Sequence, residues 1–268
     1  MDLGLAGRGC AVSGASRGIG RATARMLCES GAHVLLIARG DEALTDAVAE
    51  CRRAGEAAGG KATSLTLDVT DADAAERILA RSPDPGIEVL VNNAGTASWR
   101  DLDDVPEEDW YAAFELNVMV PKRLMDTLIP PMAEHGWGRV VNVSSTAGKR
   151  PSAKMAEYSV AKAAQLSLSR LYADRYAAQG VLVNAICPGP TKSDLWMAEG
   201  GLLDQSRQLS EFGSREQALD VAGGKRPIGR LAEVDEIAGA VTFLCSQAAS
   251  YVSGAAWSVD GGTVPTIL

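Results

Sequence analysis

Cys10-Ala11-Val12-Ser13-Gly14-Ala15-Ser16-Arg17-Gly18-Ile19-Gly20 decides the fold. The first four residues are a short apolar run that reads as a strand. The glycines that follow read as a tight turn, and Arg21 to Glu29 reads as a helix. Glycine lacks a Cβ, so the backbone can bend sharply and approach a phosphate closely. The N-terminus of the next helix adds N–H groups that have no partner within the helix. The spacing is Gly-x-x-x-Gly-x-Gly, not the Gly-x-Gly-x-x-Gly of long Rossmann enzymes. A strand, a glycine loop and a helix in that order point to a dinucleotide site near the start of the chain.

Outward from this loop, β-branched runs alternate with helical stretches. His33 to Ala38 is a second strand, followed by a helix from Glu42 to Arg53. Ser64 to Leu67, Ile87 to Val91, Val140 to Val143, Val181 to Ile186 and Ala255 to Val259 are further strands. Glu233 to Gln247 is the last helix. Continuous apolar strands separated by helices predict a parallel sheet covered on both faces. Right-handed crossovers make it a Rossmann-type, doubly wound α/β fold. No Pro/Gly/Ser linker or repeat divides residues 1–268, so a single domain is expected. The strand rhythm stops between about 191 and 230. That stretch, with Trp196, Met197, Leu202, Leu203 and Phe212, reads as a substrate lid or as a packed surface helix pair.

Composition narrows the function. With a net charge of −8, nucleic acid is a poor partner. No apolar run reaches the ~18 residues of a membrane span. Met1 to Leu5 show no basic segment before an apolar signal core, so a cytoplasmic protein is expected. Five scattered cysteines without Cys-x-x-Cys read as buried free thiols. Only His33 and His135 exist, which leaves little for a zinc site or a Ser-His-Asp triad. No metal is expected.

The end of the second strand bears on the choice of cofactor. An acid there usually holds the ribose 2′-hydroxyl of NAD. Ala38 stands in that place, followed by Arg39, and Arg17 lies in the glycine loop. Both arginines suit a 2′-phosphate, so NADP(H) is the expected cofactor, with Asp41 nearby as the contrary feature. Gly55 to Lys61 mimics the start of a P-loop. Ala62 occupies the required Ser/Thr position, and a strand follows it, which argues against a nucleotide triphosphatase.

Tyr158-Ser159-Val160-Ala161-Lys162 supplies the chemistry. On a helix, residues four apart share a face. An ammonium beside a phenol favours the phenolate, so Lys162 is expected to lower the Tyr158 pKa and make it a usable acid/base.

Together these residues resemble the short-chain dehydrogenase/reductase family. The likeness runs through Gly14 to Gly20, Asp68-Val69, Asn92-Asn93-Ala94-Gly95, Asn117, Val143-Ser144-Ser145, Tyr158 to Lys162 and Pro188-Gly189-Pro190-Thr191. Ser13 departs slightly, standing where many members carry Thr. The resemblance implies a catalytic tetrad of Asn117, Ser145, Tyr158 and Lys162. Tyr158 would exchange the proton of the substrate oxygen, and Ser145 would orient that oxygen. Lys162 would tune the tyrosine and hold the nicotinamide ribose. Asn117 would hold a water that links Lys162 to solvent. Ser145 is preferred to Ser144 because thirteen residues separate it from Tyr158 and strand alternation turns the two serines apart. The cofactor would be held by Gly14, Ser16, Arg17, Gly18, Ile19, Gly20 and Arg39 at the phosphate and adenosine end. Asp68, Val69, Asn93, Ala94 and Gly95 would lie along the adenosine. Tyr158, Lys162, Pro188, Gly189 and Thr191 would hold the nicotinamide end.

The resemblance is greatest to the 3-oxoacyl-[acyl-carrier-protein] reductase branch, so a small-molecule ketone or secondary alcohol is the expected substrate, a 3-oxoacyl thioester among them. Lys149, Arg150 and Lys154 either meet an anionic substrate or form a solvated loop. Trp99, Met155, Trp196 and Met197 either line an apolar pocket or pack in the core. Relatives imply a homotetramer, or a dimer, with apolar positions in Ala163 to Leu171 and Thr263 to Leu268 available for contact. Two other readings remain: a cofactor-binding regulator or scaffold of the same fold without turnover, and a lyase- or epimerase-like enzyme using nicotinamide transiently.

Overall fold

A computed structural model describes residues 2–210 and 213–265. Phe212 and the last three residues of the Thr263–Leu268 stretch lie outside the described residues. In chain order the first half holds β1 (Gly9–Ser13), α1 (Gly18–Glu29), β2 (His33–Ala38), α2 (Asp41–Gly55), β3 (Lys61–Thr66), α3 (Ala74–Ala80) and β4 (Val89–Asn92). The second half continues with α4 (Glu107–Phe114), α5 (Val120–Glu134), β5 (Gly138–Val143), α6 (Ala156–Tyr176) and β6 (Val181–Pro188). Three helices follow, α7 (Asp194–Met197), α8 (Leu202–Ser210) and α9 (Arg215–Gly224), before α10 (Val234–Leu244) and β7 (Ala256–Val259).

The seven strands form one sheet in the order β3-β2-β1-β4-β5-β6-β7, and every pairing is parallel. Period-two alternation splits the core. Cys10, Val12, Val34 and Leu36 face a cluster with Leu27, Leu44, Ile237 and Val241 from α1, α2 and α10. Ala11, Leu35, Ile37 and Val140 face Ile78, Leu124, Leu128 and Ala173 from α3, α5 and α6. The doubly wound reading is therefore correct.

Chain direction across the sheet reverses between β1 and β4. In such folds ligands bind beyond the carboxyl ends of the strands at that point. The glycine loop leaves β1 there, and Asn93-Ala94-Gly95 leaves β4 beside it.

Several boundaries differ from the sequence reading, these three among them. The third strand begins at Lys61 instead of Ser64, pairing Lys61 with His33. It is an edge strand with exposed Lys61, Thr63 and Thr66, so its polar residues hid it among apolar runs. The fourth begins at Val89, because Glu88 is turned to the Arg8 guanidinium and the Gly9 N–H. The last helix ends at Leu244. Its start is fixed by a reciprocal cap between Glu233 and Glu236. The P-loop look-alike is dismissed as expected: Gly55 ends α2, and Lys61 opens a strand. All five cysteines are free and buried.

Candidate active site

The two loops at the switch point are sewn together by one hydroxyl and one amide. The Ser13 Oγ accepts from the backbone N–H of Asn93 at 3.0 Å and of Ala94 at 3.1 Å. The Asn93 Nδ2 donates to the carbonyls of Ser13 at 3.0 Å and Gly14 at 3.1 Å. Ser13 thus supplies what the family's threonine would. A Cβ on Gly20 would meet the Gly14 carbonyl oxygen at 2.3 Å, so only glycine lets α1 start this close to the loop.

These residues fit a dinucleotide. Gly14 and Gly18 have φ of 64° and 55°, conformations that favour glycine. The α1 N-cap, Arg17, makes no side-chain cap, and the first turn carries no acid. The positive end of that helix is left for an anion. Arg39 has a side chain 79% exposed, with its guanidinium 3.8 Å from the Asp68 carboxylate. Asp68 also accepts from the Thr70 N–H and hydroxyl, which together hold its carboxyl below the usual range. Asp41, the contrary feature, accepts from the Thr66 hydroxyl at 2.9 Å. Val69 is buried beside Asp68. At the far end of the site, Gly189 follows Pro188 at the close of β6. The Thr191 hydroxyl donates to the Gly189 carbonyl at 2.9 Å.

Beyond β5 the two serines part as alternation requires. The Ser144 hydroxyl is buried and donates to the Lys162 carbonyl at 3.1 Å. Ser145 turns towards the phenol of Tyr158 and caps the following turn by accepting from the Ala147 N–H. Tyr158 and Lys162 lie one turn apart on α6, with the Lys162 Nζ 5.6 Å from the Tyr158 ring centre.

The electrostatics of this pair differ from the sequence reading. Burial pushes the Tyr158 phenol up to about 12, while Ser145 pulls it the other way. Burial lowers Lys162 to about 7. Burial dominates both groups, and Lys162 is not among the causes that offset it at the phenol. The ammonium is also turned elsewhere, donating to the Val143 carbonyl at 2.7 Å and the Gln165 Oε1 at 3.2 Å.

Asn117 sits in a π-helical turn, Glu115–Met119, between α4 and α5. Such turns are rare and common at functional sites. Its Nδ2 donates to the Ala113 carbonyl at 2.8 Å, and its buried Oδ1 has no partner among the described residues. A Cβ on Gly95 would lie 3.6 Å from that Oδ1 and 3.9 Å from the Lys162 Nζ, so the three residues converge.

Gln165 was not foreseen. It lies three residues after Lys162 on the same face and is buried. Its signal was a lone amide in a run of small residues and leucines. Behind it runs a buried polar chain. The Ser169 hydroxyl donates to the Gln165 carbonyl, Asn142 to Ser169, and Asn92 to Asn142.

The cationic loop is resolved differently for each residue. The Lys149 Nζ donates to the Ala256 carbonyl and the Ser258 hydroxyl. Lys154 pairs with Asp101. Arg150 reaches the Thr263 carbonyl. Trp99 and Trp196 line one cavity together, whereas Met155 and Met197 do not line it.

Residues 14–264 match the family described as Enoyl-(Acyl carrier protein) reductase. The chain belongs to the short-chain dehydrogenase/reductase family. Within this family of oxidoreductases it is 36% identical to the cis-4-hydroxycyclohexanecarboxylate dehydrogenase of Sinomonas cyclohexanicum, over 98% of both chains. It is 33% identical to the 3-oxoacyl-[acyl-carrier-protein] reductase of Vibrio cholerae, over 97% of this chain and 98% of that one. The short-chain dehydrogenase/reductase fold is shared in full with L-sorbose reductase from Gluconobacter frateurii, crystallised with NADPH and L-sorbose. That match has 30% identity, a TM-score of 0.89 and complete coverage of both chains.

The lowered Lys162 pKa links to stability. Between about 7 and the ordinary lysine value of 10.5, the unfolded chain holds the proton and the folded chain does not. Unfolding free energy therefore rises with pH across that window, by at most ~1.4 kcal/mol per unit. Below it the burial cost is fully present, and above it that cost vanishes. Urea unfolding should show a rise from pH 7 to 9.5 in the wild type that is smaller in Lys162→Met. Equal slopes would contradict the burial effect.

Proposed function

We propose that this protein reduces a ketone with NADPH, or oxidises the matching secondary alcohol with NADP+, with Tyr158 as general acid or base. The convergence of Tyr158, Ser145 and Lys162 beyond the carboxyl end of β5 carries this reading. When bound, NADP(H) supplies or accepts a hydride at the substrate carbon. In reduction, Tyr158 gives its proton to the substrate oxygen, and Ser145 donates a hydrogen bond that orients the same oxygen. A phenol held near 12 is protonated at neutral pH and ready to donate. Lys162, held near 7, can give and take a proton there, so it can restore the phenol after each turnover. The unpartnered Asn117 Oδ1 suits a water that passes protons on to solvent.

The glycine loop would hold the pyrophosphate on the α1 N-terminus, and Arg17 and Arg39 would take the 2′-phosphate. Asp68, Val69 and Asn93-Ala94-Gly95 would border the adenosine, and Pro188, Gly189 and Thr191 the nicotinamide. Asn93 acts there chiefly through the backbone it holds in place, since its amide is already spent on Ser13 and Gly14. α7 to α9 would close over the substrate as a lid. The named substrates of the relatives range over a thioester ketone, a cyclic hydroxy acid and a ketose. All fit a carbonyl or secondary alcohol at the reacting carbon, and a 3-oxoacyl thioester belongs in any first panel.

The buried free thiols favour a reducing cytoplasm. A homotetramer is the proposed assembly. Exposed Tyr111 and Phe114 on α4 and Val160 and Leu171 on α6 offer one apolar face, and Trp257 on β7 with Tyr251 offers another.

Three outcomes test this reading. Tyr158→Phe should lose ~10²–10⁴-fold in kcat with ketones, while NADPH binding, followed by its fluorescence, stays within a few-fold. Retained turnover would sink the acid/base role. Arg39→Ala combined with Arg17→Ala should weaken NADPH at least about tenfold, as expected when charged hydrogen bonds are lost, and leave NADH nearly unchanged. Equal losses for both cofactors would refute the phosphate assignment. Light scattering should give four chains per particle, and a monomer would refute the assembly.

A further inference from the structure

Two indoles and two cations share a cavity that the reaction described above leaves without a role. It measures about 110 Å³ and is walled by Trp99, Trp196, Val221, Ala222, Lys225 and Arg226 among others. A water needs only about 10–15 Å³ on this measure, so a small organic group fits. Among the described residues no Asp or Glu lines it. Neither Lys225 nor Arg226 is paired with a carboxylate among the described residues.

Its polar groups are donors short of acceptors. The Trp99 Nε1 and the Arg226 Nε are both buried and lack a hydrogen-bond partner among the described residues. Buried indole N–H groups usually find one, and a buried guanidinium N–H left without an acceptor costs free energy. Arg226 donates once, from Nη1 to the Ala222 carbonyl at 2.7 Å. Burial, and then the neighbouring Arg150 guanidinium, hold its pKa below the ordinary arginine range. A negatively charged acceptor would relieve both strains at once.

The walls of the cavity are tied to the segments that carry the candidate tetrad. Trp99 follows Gly95 by four residues, and its backbone N–H donates to the Gln205 Oε1 of α8 at 2.7 Å. The next residue, Arg100, donates its backbone N–H to the Lys154 carbonyl at 2.9 Å, just before the helix that carries Tyr158. Arg150 lies between Ser145 and Tyr158 in the chain.

We propose that this cavity is the substrate's anion subsite, and that the preferred substrate is a ketone or secondary alcohol bearing a carboxylate on a ring or short apolar body. This rests on the reductase reading above. The two indoles take the body, and Arg226, Lys225 and the Trp99 indole N–H take the carboxylate. A neutral ketone loses the charge pairing, and a carrier-bound thioester offers no carboxylate to fill it.

The test compares 4-oxocyclohexanecarboxylate with its methyl ester, which keeps the ketone and ring but removes the charge. Wild-type protein with NADPH should favour the acid by at least about tenfold in kcat/KM. Arg226→Gln should abolish most of that preference, and Lys225→Gln, at an exposed side chain, should reduce it without risk to folding. Quenching of tryptophan emission by the same two compounds reads the cavity independently of turnover. Equal use of acid and ester by the wild type, or a preference unchanged in both variants, overturns the subsite. If neither compound is reduced, acid-selective quenching that is lost in Arg226→Gln still supports the subsite and places the failure on the reductase reading. Equal quenching by acid and ester overturns the subsite in that case too.

Discussion

The site depends on the clasp between Ser13 and Asn93. Parallel strands are not joined by hairpins, so the ends of β1 and β4 meet only through what their loops can bond to. One hydroxyl accepts two N–H groups from the β4 loop, and one amide donates to two carbonyls of the β1 loop. Four hydrogen bonds thus fix the glycine turn against the turn that carries Gly95. Around Gly95 gather the Asn117 Oδ1 and the Lys162 Nζ. The clasp therefore sets the distance between the place where phosphates would lie and the place where protons would move. Its members are satisfied by one another, which makes the arrangement rigid.

Burial governs the chemistry at the other end. Tyr158 and Lys162 would help each other ionise in water, where opposite charges attract at little cost. Within this fold each is stripped of solvent, and each is pushed towards its neutral form. A neutral phenol beside a lysine poised near neutrality is a proton donor with a nearby reserve. That arrangement differs from a phenolate held by an ammonium, and under the proposed function it would suit reduction. The buried chain from Gln165 through Ser169 and Asn142 to Asn92 anchors the lysine from behind, against β4 and β5.

The sheet was legible because burial on both faces leaves an unmistakable pattern. Val34 to Ala38 and Val181 to Ile186 are apolar throughout and could hardly be anything else. Lys61 to Thr66 was partly missed because an edge strand shows polar residues to solvent. The candidate catalytic residues were legible as types at set spacings, but their electrostatics were not. Spacing says that Tyr158 and Lys162 are neighbours, and only three dimensions say that both are dry. Gln165 escaped notice because an amide three residues after a lysine has no distinctive spacing. Lys225 and Arg226 lay in a stretch without rhythm, where nothing in the sequence shows which cation lacks a carboxylate. Lys149, Arg150 and Lys154 drew attention by proximity in sequence, yet each is bonded elsewhere.

The buried thiols have a practical side. Cys10 and Cys187 lie in strands on opposite sides of β4, Cys28 and Cys51 in the first two helices, and Cys245 just past α10. None meets solvent in the closed fold. A thiol reagent can therefore reach each one only when its own part of the molecule opens. Mapped cysteine by cysteine, the order of labelling becomes a clock of local opening, read from the natural sequence without any introduced probe.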